Sequence, residues 1–199
     1  MKLEKLGKVN HGLTISRIKA KPDELQEEIP IFTMQDLNIE MGSYDLKTEN
    51  KTVSVSKENF EQDLLSKENM VIVGLTANKA YIIEGDHIGK VIPSNFAYMY
   101  LDKSKIDLNY FTWYFNEHPN VAKQLKIATQ GSQGIMALSV QMLRELDIEL
   151  PDLETQIKIG RIYELRRKKE KALYEKNILE KNLYKQLTIN KLKEAITCR

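Results

Sequence analysis

The hydrophobic pattern of the last quarter of the chain predicts one long helix. From residue 154 to about residue 195 there is no proline and, apart from Gly160, no glycine. These roughly 42 residues would span about 60 Å as a helix, whereas an ordinary globular helix has about 11–12 residues. Pro151 ends the apolar segment that comes before, and Asp152 is placed to cap the first turn.

Apolar residues recur on one face of this helix at spacings close to the heptad repeat of a coiled coil. Lys169 and Lys176 occupy two positions where that repeat favours apolar residues. A helix of this length needs a partner along it, so we expect a coiled coil with a second chain; a helix folded back on its own domain is the alternative. The predicted dimerisation residues are Ile162, Leu165, Ala172, Leu179, Leu183 and Leu187.

The first 150 residues alternate short apolar segments with polar turns, which predicts an α+β domain built on a mixed or antiparallel sheet. Residues 21–28 and 42–51 are expected to be polar loops. The expected strands cover residues 13–18, 29–33, 52–56, 70–75, 81–83, 87–92 and 96–101, with a further strand-length segment at 148–150. The expected helices cover residues 58–65, the stretch from Asp107 to the break at Pro119, residues 121–127, and a short helix capped by Ser139.

The helix after Asp107 carries a cluster of aromatic residues at helical spacing. Such a cluster can form a platform on which nucleic-acid bases stack. Aromatic residues at this spacing more often fill a core, and core packing is therefore the expectation for Phe111, Trp113, Tyr114 and Phe115.

The charge of the chain is unevenly distributed. Residues 151–199 contain 13 Lys and Arg against 7 Asp and Glu, a net charge of +6, whereas residues 1–150 contain 17 against 21, a net charge of −4. A nucleic-acid-binding domain usually has a basic surface, so composition alone does not predict DNA binding by the body.

The chain shows no sign of secretion or membrane insertion. There is no apolar run of about 18 residues and no basic segment followed by an apolar leader. The single cysteine, Cys198, cannot form a disulfide or a multi-cysteine zinc site within one chain, which suits a reducing compartment. The expected location is the cytoplasm.

The motifs of the common DNA-modifying enzymes are missing. A DNA adenine methylase needs an Asn/Asp-Pro-Pro-aromatic motif to hold the extruded adenine, and the chain has no Pro-Pro pair. Residues 151–156 lack the lysine of a magnesium-dependent nuclease motif, and there is no phosphate-binding glycine loop. His11, His87 and His118 are isolated, so no metal site is expected. A Ser-His-Asp triad assembles in space and is left open by the sequence, but we expect no enzyme activity.

Residues 128–134 form a small, neutral, polar stretch with two glycines three positions apart, Gly131 and Gly134. This matches the Gly-x-x-Gly of KH domains, whose backbone clamps nucleic acid. Because the match is short and the stretch contains no basic residue, an ordinary turn is an equal expectation.

Four segments resemble the specificity, or DNA-recognition, subunits of Type I restriction-modification enzymes. The most specific is residues 143–157, where Leu-Pro, an acidic residue, Leu-Glu and Gln resemble the junction between a target recognition domain and a spacer helix. Residues 5–9, 29–37 and 131–139 are similar to other parts of that family, so the resemblance covers nearly the whole chain. Members of the family usually have two recognition domains and two spacer helices, whereas this chain has one of each.

The resemblance implies a target recognition domain over residues 1–150 and a spacer and dimerisation helix over residues 151–199. Two copies would bind a bipartite, palindromic DNA site as a homodimer, with the helix setting the gap. Partners would be two DNA adenine methylase subunits and translocating nuclease subunits, to which S-adenosylmethionine and ATP would belong; this chain would need no cofactor. The alternative is a coiled-coil adaptor or inhibitor that docks on the methylase subunit without reading DNA, which the acidic body favours.

If the body reads DNA, polar side chains on its loops are the candidates. Asn, Gln, Arg and Lys make bidentate contacts with base edges, and Ser, Thr and Lys hold phosphates. For each candidate, an ordinary solvated surface position is the competing interpretation. The predicted DNA-binding residues are Asn78, Lys79, Lys90, Gln130, Ser132 and Gln133, with Lys57 as a contact to the DNA backbone.

Overall fold

The structure, a computed structural model, describes residues 1–47, 50–58, 60–128 and 137–197. The chain divides into two compact units, Met1–Tyr163 and Glu164–Arg199. The described strands are β1 (Gly7–His11), β2 (Gln26–Pro30), β3 (Thr52–Ser56), β4 (Val71–Gly74), β5 (Lys79–Ile82) and β6 (Phe96–Leu101). The described helices are α1 (Ile15–Ile18), α2 (Met34–Glu40), α3 (Leu108–Glu117), α4 (Pro119–Ala128), α5 (Val140–Glu145) and α6 (Leu153–Thr197), with short 3₁₀ turns at Leu3–Lys5, Gln62–Leu64 and Gly85–His87.

An antiparallel sheet of four strands, in the order β1-β6-β4-β5, lies at the centre of the first unit. All four residues of β4 are buried because side chains cover both faces of the sheet there. One face packs against Phe111, Tyr114 and Phe115 of α3, and the other packs against Phe32 and Leu37 at α2. The α+β prediction is confirmed, as is the expected core role of Phe111, Tyr114 and Phe115, while Trp113 is half-buried and packs against this core.

A separate two-stranded sheet, β2 with β3, builds a smaller third core. Ile29 of β2 and Val53 and Val55 of β3 are buried there with Val91. The predicted strand at 52–56 is confirmed. The predicted strand at 29–33 begins earlier, inside the expected loop 21–28, and ends at Pro30 because the chain then turns into α2.

Three predicted elements differ from the structure. Part of the strand expected at 13–18 is the helical turn α1, since Ile15 and Ile18 reach the third core together at a spacing of three residues. The strand expected at 87–92 is interrupted by Gly89, whose φ of +81° is not extended. The helix expected at 58–65 is reduced to the 3₁₀ turn.

Two further differences concern α2 and the segment before α6. The helix α2 was not predicted, although Thr33 and Asp36 form a capping box in which each side chain accepts from the other's backbone N–H. The segment 148–150 is not a strand; its neighbour Asp147 makes only an isolated bridge to Lys2.

The long C-terminal helix is confirmed as α6. Asp152 caps it as predicted, because its Oδ1 accepts a hydrogen bond from the backbone N–H of Thr155 at 2.9 Å. Hydrogen bonds from Thr155 lower the pKa of Asp152, so this cap is charged at neutral pH. Residues 153–163 belong to the same compact unit as the body, and the functional division between residues 1–150 and 151–199 stays a prediction.

The first turns of α6 pack against α3 through Gln156, Gly160 and Tyr163, which are all buried. Gln156 accepts a hydrogen bond from the backbone N–H of Asp107 at 3.1 Å and donates to the carbonyl of Pro151 at 2.9 Å. At Gly160 a β-carbon would lie 2.4 Å from Asp107 Oδ1 and 2.7 Å from a backbone nitrogen of α3. The two helices can therefore approach this closely only where α6 has no side chain.

Replacing Gly160 by alanine tests this contact, because two effects of opposite sign compete. Helix propensity alone would stabilise Gly160→Ala by about 1 kcal/mol. The added methyl group must displace Asp107 and backbone, which costs about 1–3 kcal/mol, so we expect a net loss of up to about 2 kcal/mol in the free energy of urea unfolding. Ile157→Ala, at an exposed position of the same stretch, is the matched control and should change stability by less than about 0.5 kcal/mol. A stabilised Gly160→Ala variant would contradict the packing argument.

Candidate nucleic-acid interface

Three loops of the first unit meet at one edge of the four-stranded sheet, around Leu75. The backbone N–H of Leu75 donates to the carbonyl of Asn95 at 3.0 Å, and the N–H of Leu138 donates to the carbonyl of Leu75 at 2.7 Å. These bonds join the β4–β5 turn, the segment before β6 and the segment that enters α5. We call this place the three-loop edge.

Exposed amide side chains lie on two of these loops. Asn78 ends the β4–β5 turn with a φ of +52°, a left-handed conformation that asparagine tolerates better than most residues. Asn95 is exposed at the start of β6. An asparagine amide offers one donor group and one acceptor, the pair that matches the major-groove edge of adenine. The three-loop edge thus carries groups that can read bases.

The start of β5 is held by Asn116 of α3. Its Oδ1 accepts from the N–H of Ala80 at 2.8 Å, and its Nδ2 donates to the carbonyl of Ala80 at 2.9 Å and to the hydroxyl of Tyr163 at 2.9 Å. One amide therefore satisfies both backbone groups of an edge strand and connects them to the first turns of α6. Lys79, next to this contact, places its Nζ 3.4 Å from the carbonyl of Asn116.

A concave pocket of about 450 Å³ opens beside the three-loop edge. Its floor is apolar and includes Phe115, Val121 and Leu138, and its rim includes Asn78, Glu117 and Lys126. An apolar floor with an amide, a carboxylate and an ammonium group at the rim suits a flat group with a polar edge.

The phenols below this site are neutral at physiological pH. The hydroxyl of Tyr110 donates to the carbonyl of Glu149 at 2.6 Å, and burial raises the pKa of Tyr110 to about 12. Burial also raises the pKa of Tyr114, whose ring stacks on His118 with the ring centres 4.3 Å apart. These rings add no negative charge that would repel DNA.

A family model for the Type I restriction modification DNA specificity domain matches residues 1–188 of the 199-residue chain. The chain belongs to this family. The resemblance of the four sequence segments is thereby confirmed, and the family's role is DNA recognition. None of the curated proteins matches the chain.

Solved structures of the specificity family share the fold. The HsdS subunit from Thermoanaerobacter tengcongensis aligns with a TM-score of 0.51 at 14% identity, over 87% of this chain and 38% of that one. A chain from a structure of complex assembly and conformational transition in the type I R-M system aligns with a TM-score of 0.52 at 13% identity, over 87% of this chain and 39% of that one. The chain thus spans less than two-fifths of the length of these relatives.

Of the predicted DNA-binding residues, the structure brings Asn78 and Lys79 together at the three-loop edge. Gln130, Ser132 and Gln133 lie outside the described residues, as does the Gly-x-x-Gly match, and remain predictions. Lys126 and Leu138, which are described on either side of residues 129–136, line the same pocket as Asn78. Asn95 was missed, and the signal that could have found it is its place in a polar segment directly before a strand.

Lys90 and Lys57 lie in other surroundings. The ammonium group of Lys90 is 3.5 Å from Asp36 and 3.2 Å from His87 Nδ1, and its side chain is only 16% exposed. An ammonium group so engaged is poorly placed for a phosphate. Lys57 is exposed beside the start of β2, where its backbone N–H donates to the carbonyl of Leu25 at 2.9 Å. That Lys57 and Lys90 bind DNA stays a prediction.

The described ranges contain neither a candidate metal site nor a candidate membrane-spanning helix. Within them, no group of three or more His, Cys, Asp or Glu side chains lies close enough to hold a metal ion. No helix formed by these residues is both long and apolar enough to cross a membrane.

Replacing Asn116 by alanine tests how the three-loop edge is supported. The N–H and carbonyl of Ala80 and the hydroxyl of Tyr163 would each lose a partner in a partly buried place. Because an unsatisfied group costs about 1–3 kcal/mol, we expect Asn116→Ala to lower the free energy of urea unfolding by about 2–3 kcal/mol. Asn95→Ala, an exposed asparagine at the same edge, is the control and should leave stability within about 0.5 kcal/mol. Equal stabilities for the two variants would refute the supporting role.

Proposed function

We propose that the chain is a sequence-specific DNA-recognition subunit of a Type I restriction-modification system. The observation that carries this proposal is the family match over residues 1–188, which spans both the body and most of the long helix. In this proposal residues 1–150 read one half of a bipartite site and residues 151–199 pair with a second copy. The chain makes and breaks no bonds itself and acts in the cytoplasm.

Base reading is assigned to the three-loop edge. Asn78 and Asn95 would form bidentate contacts with adenine, and Lys79 would contact guanine or a phosphate. Gln130, Ser132 and Gln133 would contribute from the segment between α4 and α5. The support is the convergence of exposed amide groups on loops that hydrogen bonds join to a rigid sheet.

Dimerisation is assigned to the apolar stripe of α6. In the second unit Leu179, Leu183 and Leu187 expose 68%, 56% and 52% of their surface, and Leu165 exposes 48% in the same stripe. Exposed leucines at this spacing favour burial against a second helix, since each buried leucine contributes about 1.5–3 kcal/mol. A two-fold dimer would bind a palindromic site, with the helices setting the gap between its halves.

A second group of apolar residues in α6 supports the proposed methylase partners. Ile178, Ile189, Leu192 and Ile196 are also exposed. At about 100° per residue they lie on the far side of the helix from Leu183. A helix with two apolar faces fits between two partners, so we assign the second face to the DNA adenine methylase subunits, with translocating nuclease subunits joining that assembly. S-adenosylmethionine and ATP would be bound by those partners.

Charge reversal in the stripe tests the dimer. The double variant Leu179→Glu, Leu183→Glu places two carboxylates in the proposed interface, and we expect monomers by light scattering where the wild type is a dimer. The control is Lys181→Glu with Lys185→Glu, a larger change of charge in the same part of the helix but outside the stripe, which should remain dimeric. A dimeric Leu179→Glu, Leu183→Glu variant would show that the stripe is not the interface.

Mapping N6-methyladenine tests recognition itself. The full chain is co-expressed with its methylase subunit, and methylated positions in the host DNA are compared with those made by the methylase alone. We expect a palindromic bipartite motif, because two identical recognition domains read identical half-sites. An asymmetric motif would reveal a different second half. A stable complex that adds no methylation would favour the adaptor or inhibitor.

The variant Asn78→Gly provides a matched comparison in the same experiment. Glycine adopts the left-handed φ of residue 78 without strain, so the turn is kept while the amide is removed. We expect the motif to become degenerate at one position of each half-site, since a bidentate contact contributes about 1–3 kcal/mol of discrimination. An unchanged motif would remove Asn78 from the reading surface.

A further inference from the structure

At one side of the main sheet, the edge strand β1 and its neighbour β6 place polar and aromatic side chains on one face. In the antiparallel register Lys8 lies opposite Tyr100 and Asn10 lies opposite Tyr98. Because side chains alternate along a strand, these four residues share a face, while Val9 between them points into the core and is 2% exposed. We call this group of four the tyrosine face.

Among the residues that the structure describes, the tyrosine face is the more exposed part of that sheet surface. Over β4 and β5 the same side of the sheet is buried, as shown by Ile72 and Tyr81 with at most 2% exposure. Over β1 and β6, in contrast, Lys8 is exposed and Tyr100 is 42% exposed. Tyr98 is half-buried and packs against the core at one side, and its ring centre lies 6.5 Å from that of Tyr100. The rings are thus fixed by the sheet and accessible to a partner.

Two ammonium groups lie near Tyr100. Lys8 flanks it on β1, and the ammonium group of Lys67 acts on it from the loop before β4. Lys67 forms an ion pair with Asp63 at 2.6 Å, in which the two side chains are 50% and 89% exposed. Burial raises the pKa of Tyr100, so its hydroxyl is a hydrogen-bond donor at neutral pH. Lys8 therefore adds a positive charge beside the Lys67–Asp63 ion pair, on a body whose net charge is −4.

We propose that the tyrosine face, with Lys67, binds the sugar-phosphate backbone of double-stranded DNA. Lys8 and Lys67 pair with phosphates, and the hydroxyl groups of Tyr98 and Tyr100 and the amide of Asn10 donate hydrogen bonds to phosphate oxygens. Lysine, tyrosine and asparagine are among the residues that make such contacts, which position a protein on DNA without reading sequence.

The position of this face supports DNA over another partner. Tyr98 follows Asn95 by three residues, about 10 Å along an extended strand, so the tyrosine face continues from the three-loop edge. If the groove of a duplex faces that edge, the sugar-phosphate backbone of the duplex can contact the neighbouring strands β1 and β6. This inference rests on the proposed function and adds to it the surface that orients the duplex.

Binding to a duplex of random sequence tests the inference, because phosphate contacts do not depend on the target site. The full chain is titrated with a fluorescein-labelled 40-base-pair duplex over a series of salt concentrations. We expect Lys8→Gln to reduce the slope of log affinity against log salt by about 1. We expect Tyr100→Phe to weaken binding about three- to tenfold with an unchanged slope, since it removes a donor and no charge.

The control is Lys21→Gln, which makes the same change of charge at an exposed position of the loop before β2 and should leave the salt slope unchanged. Thermal unfolding midpoints should be equal for all variants, because the replaced groups are exposed.

If the wild type binds but Lys8→Gln and Tyr100→Phe bind equally well, the inference is overturned and the proposed function stands. If the wild type shows no salt-dependent binding, the proposed function fails and the inference fails with it. If the two variants keep DNA affinity but no longer co-purify with the methylase subunit, the face is a protein interface and the inference is overturned.

Discussion

The close contact between α3 and the start of α6 is the constraint on which the described body depends. Gly160 allows the two helices to approach. Gln156 accepts a hydrogen bond from the backbone N–H of Asp107 at the start of α3 and donates one to the carbonyl of Pro151 just before α6, so it supplies bonds that these two backbone groups would otherwise lack. Gln156 belongs to the junction, residues 143–157, that resembled the specificity family, and Gly160 follows three residues later, so part of the most specific sequence signal has a physical explanation. A motif that brings two backbones together tolerates few substitutions, since a larger side chain separates the helices.

The same contact reaches the candidate interface through Asn116. This single amide is bonded to both backbone groups of Ala80 on β5 and to Tyr163 on α6. The β4–β5 turn, which carries Asn78, is therefore held next to a strand that Asn116 fixes, and Asn116 does not contact DNA in the proposed function. Such an arrangement lets the reading side chains vary while the scaffold keeps their position, because the contacts that hold the loops are made by backbone atoms and by α3.

Much of the fold was predictable because its signals are local. The cap at Asp152, the absence of glycine and proline after Gly160, and the β-branched run at β4 each act within a few residues. The surroundings of Lys90 were not predictable, since its partner Asp36 lies 54 positions away and only the fold brings them together. Asn78 was predicted because turns have a recognisable composition, whereas Asn95, which the proposal adds, was not, because a polar segment directly before a strand is a weaker signal.

The acidic character of the body bears directly on specificity. Non-specific affinity for DNA comes almost entirely from neutralised phosphates, so a body with a net charge of −4 binds random sequence weakly. Specific sites would then gain relative to the large excess of other sites, because the proposed base contacts at Asn78 and Asn95 would add affinity only at the correct sequence. In the same proposal, a few phosphate contacts such as those of Lys8 and Lys67 would give the duplex one orientation. In the proposed subunit, therefore, the low overall charge strengthens discrimination, and the placement of a few side chains takes over the role that a broad basic surface has in other DNA-binding proteins.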